Sequence, residues 1–214
     1  MHLTQQEQQQ INRLVAEVEA ASGAEVVVAV IGKADAYPEI PWKAFALGAA
    51  MAGSLIAMAG LLGAEGAPQL TVALASMILL GCGMTCAAAT IFMPAIARLF
   101  LDGLRAEVEV GQYARAMFLE RDMSQARGRA GVLIVMSLFE RQVAIVADAG
   151  VREYLTDAQV DAVSAKMIPL LAGRHVVAAA EQGLRMIEQL LHGKLDPPVA
   201  GHTLADVLVQ ERGS

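Results

Sequence analysis

Between Lys43 and Arg98 the sequence has almost no charge, Glu65 being the one Asp, Glu, Lys or Arg in that interval. Cysteine is nearly absent too. The two that occur, Cys82 and Cys86, stand four apart inside an apolar run, a spacing that makes neither a C-x-x-C pair nor a complete zinc site, so packing is the expected role. There is no Lys/Arg-rich stretch, and the formal net charge is −6, which argues against nucleic acid as a partner because phosphate neutralisation needs a clustered basic surface. The opening "MHLTQQEQQQINRL" lacks the basic and apolar regions of a secretory signal, so the expectation is that the first segment starts in the cytoplasm. A P-loop, Gly-x-Ser-x-Gly, His-Glu-x-x-His and Gly-x-Gly-x-x-Gly are all missing, and His175 and His192 have no metal-ligand spacing to one another.

What is present is apolar bulk, 56% of the residues, concentrated where the charge is missing. Residues 44–64 and 69–97 are two uncharged runs, each long enough to cross a hydrocarbon core as a helix, joined by "EGAP", whose Gly66 and Pro68 suit a reversal. Small residues such as Gly48, Ala52, Gly53, Gly81 and Gly83 would let the two backbones approach. Lys33 and Lys43 precede the first run and Arg98, Arg105 and Arg115 follow the second, with no Lys or Arg between them. That bias predicts both termini in the cytoplasm and Trp42 as an interfacial anchor.

The flanks read as soluble α/β structure. Thr4 and Glu7 form a capping-box pattern ahead of Ile11, Leu14, Val15 and Val18 at helical spacing, and Val26–Ile31 is apolar at every position, as a strand covered on both faces would be. Residues 98–126 predict a helix closed by Gly128, "GVLIVMSL" and "QVAIVAD" a strand hairpin around Leu138–Arg141, and two helices follow. A short helix is predicted over 203–212. Neither flank buries its own faces, so the expected fold is one three-layer α/β/α sandwich with a small mixed sheet, interrupted by a two-helix transmembrane hairpin. Its parts are 1–40 and 99–195, with the hairpin at 41–98 and a tail at 196–214.

The segments "SGAEVVVAVIG" and "RGRAGVLIVMSLFERQVAIVADAGV" resemble the TPM domain family, named for a thylakoid acid phosphatase, a photosystem II repair factor and a modulator of acetylcholine-receptor channels. The order and spacing of these segments are similar to a bacterial membrane-protein branch carrying a span pair after the first strand. The resemblance implies location in the bacterial inner membrane and a part in maintaining membrane complexes, with a membrane protein as partner besides the lipid bilayer. Arg129-Ala130 and Ala147–Val151 depart from the family's common pattern, so no phosphatase or cation-binding residue carries over by position.

A crossover between strands 26–31 and 131–137 makes them parallel, so Asp35 and Glu39 fall at the membrane end of the sheet. Glu25, Arg127, Arg129, Asp148 and Glu153 gather at the opposite, distal mouth. There Asp148 and Glu25 could hold Ca²⁺ or Mg²⁺ and the arginines a phosphate, while a surface ion network is the plainer reading. A metal-dependent, phosphatase-like hydrolase with Asp148 as nucleophile is the alternative to an interaction or assembly factor. In the turn "LFER", Phe139 and Arg141 are candidates for contact with lipid headgroups.

Overall fold

The computed structural model describes residues 3–62, 72–121, 123, 130–195 and 208–211. The chain divides into two compact units, one formed by Met1–Asp35 with Gly103–Ser214, the other by Ala36–Asp102.

In the first unit, α1 (Gln5–Ser22) begins at a complete capping box in which Thr4 and Glu7 satisfy each other's exposed backbone donors. It ends at Gly23, whose φ of 75° is the left-handed conformation that glycine adopts without a Cβ clash. Strand β1 (Glu25–Ile31) follows at once. Helix α5 (Gly103–Glu120), strands β2 (Gly131–Ser137) and β3 (Gln142–Ala147), helices α6 (Asp157–Ala172) and α7 (Val176–Leu191), and strand β4 (Leu208–Glu211) complete the unit. The strand order is β3-β2-β1-β4, with β1 parallel to both β2 and β4 and β3 antiparallel to β2, making a mixed sheet.

Alternation along β1 and β2 builds two cores. Val26, Val28, Val30, Val132, Ile134 and Met136 face α1, α6 and α7, while Val27, Ala29, Ile31, Leu133 and Val135 face Val110, Ala114, Met117 and Phe118 of α5. The continuous apolar runs are therefore sandwiched strands, and the fold is α/β with helices on both faces.

In the second unit, α2 (Glu39–Leu61) and α3 (Val72–Phe92) are about 35 and about 32 Å long at 1.5 Å per residue. Both are long and apolar enough to cross a membrane. Helix α2 starts five residues before the uncharged run expected to form it, its first turn carrying Glu39, an acid suited to a helix N-terminus, and the buried Ile40. The second run, 69–97, is not one helix: Met93 precedes Pro94, and the proline ring pushes Met93 into an extended conformation (φ −122°, ψ 94°) that stops α3 at Phe92. A short helix α4 (Pro94–Ala97) and a 3₁₀ turn (Arg98–Phe100) follow, so the predicted helix over 98–126 begins only at Gly103. Lys43 Nζ reaches the Phe100 carbonyl at 3.4 Å within this unit.

The predicted helix at 203–212 is overturned where the residues are described, at 208–211. Residues 208–211 are a strand against β1, whose outer edge would otherwise leave buried backbone groups without partners. The reversal "EGAP", the helix end at Gly128 and most of the 196–214 tail lie outside the described residues.

Candidate functional site

The N-terminal ends of β1 and β2 and the C-terminal end of β3 form the distal end of the sheet. Glu25 N–H donates to the Ala130 carbonyl at 3.0 Å and Asp148 N–H to the Gly131 carbonyl at 2.9 Å. Glu25 pairs with Gly131, which faces Asp148 across the next strand gap, so Glu25 and Asp148 share one sheet end at two strand spacings, about 10 Å between backbones. Asp148 is 6% exposed. Its Oδ1 accepts the Ala149 N–H at 2.6 Å, and its carbonyl accepts the Val151 and Arg152 N–H groups at 3.1 and 3.2 Å. Asp148 thus organises the turn that leaves β3. Glu153 is exposed on that turn, and Arg152 Nε reaches back to the Ala147 carbonyl at 3.2 Å. Arg127 and Arg129 lie outside the described residues. Among the described residues no group of three or more His, Cys, Asp or Glu side chains could hold a metal ion.

A residue that the sequence reading passed over completes this end. Glu19, on α1, accepts the Val26 N–H at 2.9 Å through Oε1. Burial holds its carboxyl above the usual range; the hydrogen bond from Val26 opposes this, and the neighbouring charge of Glu25 adds to it.

At the opposite end of the sheet the chain is tied more tightly. Glu140, 6% exposed, accepts the Ser137 hydroxyl and, at 2.8 Å, the Ala34 N–H. Leu138 and Phe139 donate their N–H groups to Ile31 and Gly32, both at 3.0 Å, which extends the β1–β2 pairing into the turn. Arg141, at φ 55°, takes the left-handed conformation there, and Lys33 Nζ stands 5.1 Å from the half-buried Phe139 ring. Asp35 pairs with Arg105 at 3.2 Å, and Arg105 also meets Glu109 at 3.5 Å. Ser137 and Glu140 are a hydroxyl–carboxylate pair, but Ser137 is fully buried, and the pair works as a clamp between the strand end and the chain leaving β1.

The broadest exposed chemistry belongs to α2 and α3. Buried positions in α2 recur every fourth residue, at Ile40, Ala44, Gly48 and Ala52, a single stripe. A Cβ on Gly48 would stand 2.8 Å from the Cys82 carbonyl oxygen and 2.7 Å from Cys86 Sγ, and one on Gly83 would stand 2.7 Å from the Phe45 ring. Both glycines hold the helices in close contact. Away from that seam, Leu55, Leu61, Val72, Met77 and Phe92 are exposed, and Trp42, 72% exposed, stands edge-on to Phe45 with ring centroids 6.2 Å apart.

Residues 95–190, which hold α5, β2, β3, α6 and α7 in unbroken order, match the family model of the TPM domain. The chain carries a TPM domain. A similar fold occurs in the BA42 protein of the psychrophilic bacterium Bizionia argentinensis, with a TM-score of 0.56, 11% identity, and coverage of 98% of this chain and 96% of that one. The N-terminal domain of a protein from P. gingivalis aligns with a TM-score of 0.43 and 14% identity over 94% of this chain and 83% of its own. No curated protein matches the chain. Within the matched residues, Asp148 and Glu140 are engaged in building turns; Glu25 and Glu19, outside the match, flank the β1 edge. Both Glu19 and Glu140 were detectable in principle: Glu19 borders the buried stripe of Val15, Val18 and Ser22, and Glu140 follows a strand-end serine by three residues.

Proposed function

We propose that the protein is a TPM domain anchored in a bacterial inner membrane by α2 and α3, acting as an interaction or assembly factor for a membrane protein complex. The observation that carries this reading is the pair of long helices whose large apolar side chains, Leu55, Leu61, Val72 and Met77 among them, are exposed to their surroundings. An exposed apolar surface of this extent calls for lipid or protein cover. The positive flanks favour both termini in the cytoplasm. Trp42, Phe139 and Arg141 are the proposed contacts with the headgroup layer, an aromatic–cationic set suited to an interface.

Reporter fusions after Met1 and after Ser214 should both read cytoplasm and one at Gly66 the opposite side; an exported reporter at Ser214 overturns the orientation. Affinity purification from native membranes should bring down a membrane protein in stoichiometric amount. Turnover of a phosphomonoester by the purified protein, dependent on Ca²⁺ or Mg²⁺ and abolished by Asp148→Asn, would replace this reading with a hydrolase.

A further inference from the structure

One side-chain contact orients α6 and α7 on the sheet. Lys194, just beyond α7, stands 5.4 Å from the ring of Tyr154, which lies in the turn leaving β3. The end of α7 and the start of α6 are therefore both at the distal end of the sheet. Helix α6 shares a core with β3 and is about 24 Å long at 1.5 Å per residue, against about 20 Å for β3 at 3.4 Å per residue. The α6–α7 turn, Gly173–His175, thus comes level with the β2–β3 turn at the opposite end. That end also carries both chain connections to the apolar unit. The chain runs out of β1 through Lys33 to Asp35 and returns at Gly103, and Asp35 pairs with Arg105.

An arginine in each of these two turns takes a conformation that arginine does not favour. Arg141 has φ 55° and Arg174 φ 66°, the left-handed region, where a Cβ crowds the following carbonyl and glycine is the relaxed choice. His175 N–H donates to the Leu170 carbonyl and Arg174 N–H to that of Leu171, both at 2.9 Å. This is the bond pair of a Schellman ending, with Arg174 where glycine usually stands. Gly173, one residue earlier, has φ −75°, which any residue adopts. Glycine is present in the turn but not where it would relieve strain. A strained residue that persists at a surface turn points to a use for its side chain. Arg174 is exposed and Arg141 half-buried, and among the described residues neither guanidinium pairs with a carboxylate, whereas those of Arg13, Arg105 and Arg185 do. The acids at this end are engaged: Glu140 in the clamp, Asp35 with Arg105, and Glu7 in the capping box.

We propose that Arg141 and Arg174, with Lys33 two residues before the chain exit, form a basic rim that binds an anionic lipid surface. This rests on the membrane-anchored reading above and deepens it, adding a second turn to the contact and naming acidic phospholipid as the ligand. A guanidinium fork matches phosphate oxygens, and cations beside an acidic leaflet are drawn to it within a Debye length. Lipid is the occupant that the chain itself favours, because both connections to the long apolar helices leave the unit at this end. The two arginines come from turns more than thirty residues apart in sequence, so the rim exists only in the folded domain.

The test uses the full chain in nanodiscs of phosphatidylcholine, with and without about one-third phosphatidylglycerol, and follows hydrogen exchange of residues 138–142 and 172–176 by mass spectrometry. In the natural protein both segments should exchange about threefold more slowly in the acidic discs, and the difference should vanish at about 1 M salt, where charges reach only about 3 Å. Arg141→Gln/Arg174→Gln should lose the difference at both segments. Arg174→Gly should be at least as resistant to denaturant as the natural protein, since it relaxes the turn, and yet lose the difference at 172–176, while Arg174→Lys should keep most of it. Equal exchange of the natural protein in the two kinds of disc, or a difference that survives Arg141→Gln/Arg174→Gln, overturns the rim. The same slowing by millimolar inorganic phosphate in neutral discs overturns lipid as the ligand, and slowing that needs an added acidic protein overturns it in favour of that protein. A natural chain that stays out of the discs overturns the anchored reading and the rim with it, whereas insertion with equal exchange overturns the rim alone.

Discussion

Glu140 accepts the backbone N–H of Ala34 at 2.8 Å although the two residues stand 106 positions apart in the chain. The same carboxylate takes the hydroxyl of Ser137, so one side chain fastens the end of β2 to the segment that leaves β1. Removing it strands two buried donors at once. Glu140→Ala should destabilise the protein by about 2–4 kcal/mol, at about 1–3 kcal/mol for each buried donor left unsatisfied with partial relief by water. Glu140→Gln, which keeps an acceptor, should lose less than half of that. Chemical denaturation followed by circular dichroism checks the order, and equal losses for the two variants would contradict the clamp.

Glu19 gives a pH signature. Its carboxyl lies above the usual range because burial penalises the charged form, so the folded protein binds that proton more tightly than the unfolded chain. The stability linked to this group is fully present below the unfolded value and is lost as pH rises through the folded one. Glu19→Gln removes the penalty and keeps an oxygen for Val26 N–H. Its melting temperature should exceed that of the natural protein at pH 7, and the difference should shrink toward zero as pH falls through the carboxylate range. A difference that does not depend on pH would contradict the assignment.

The glycines of α2 and α3 divide into two kinds. Gly60 and Gly81 have open space where a Cβ would go, so alanine there should be neutral or stabilising by up to about 1 kcal/mol from helix propensity. A Cβ on Gly48 meets the Cys82 carbonyl at 2.8 Å, a backbone atom that cannot swing aside. Gly48→Ala should cost about 1–3 kcal/mol, as overpacking does. Thermal melts in detergent of the three single variants check the contrast.

Lys33 and Phe139 should couple weakly. With the ammonium 5.1 Å from a half-buried ring, a double-mutant cycle of Lys33→Ala and Phe139→Leu should return about 0.5–1 kcal/mol. A coupling near zero would show that the ring is held by packing alone.

Much of this architecture is legible in the sequence because burial on two faces leaves a plain mark. Val26–Ile31 and Gly131–Met136 are apolar without alternation, and the crossover between them makes their pairing parallel. The two uncharged runs are equally plain. The failures have physical causes. Leu208–Glu211 has neither alternation nor length, and its strand conformation comes from the edge it covers. Pro94 sits close enough to the end of an apolar run to pass for a tilted continuation, yet it sets the end of α3. Glu19 and Glu140 look like ordinary surface acids on a helix and a turn; what singles them out is a backbone donor brought by another segment, seven and 106 residues away respectively. At the distal mouth, sequence order does bring Glu25 and Asp148 to one sheet end, but it says nothing of the strand that separates them.

The parallel pairing of Glu25 with Gly131 has a consequence during synthesis. A ribosome adding roughly 5–20 residues per second makes β1 between about 5 and about 20 s before its central partner strand exists. For that interval "EVVVAVI", an uncharged β-branched run after its first residue, has only α1 as a neighbour made earlier in the chain. Such a segment is prone to pair with other nascent chains. The β2–β3 hairpin, by contrast, closes locally in microseconds once made. Translation speed through the apolar helices therefore sets how long the most aggregation-prone strand waits, and slowing it with rare codons should lower the yield of folded protein without changing a single residue.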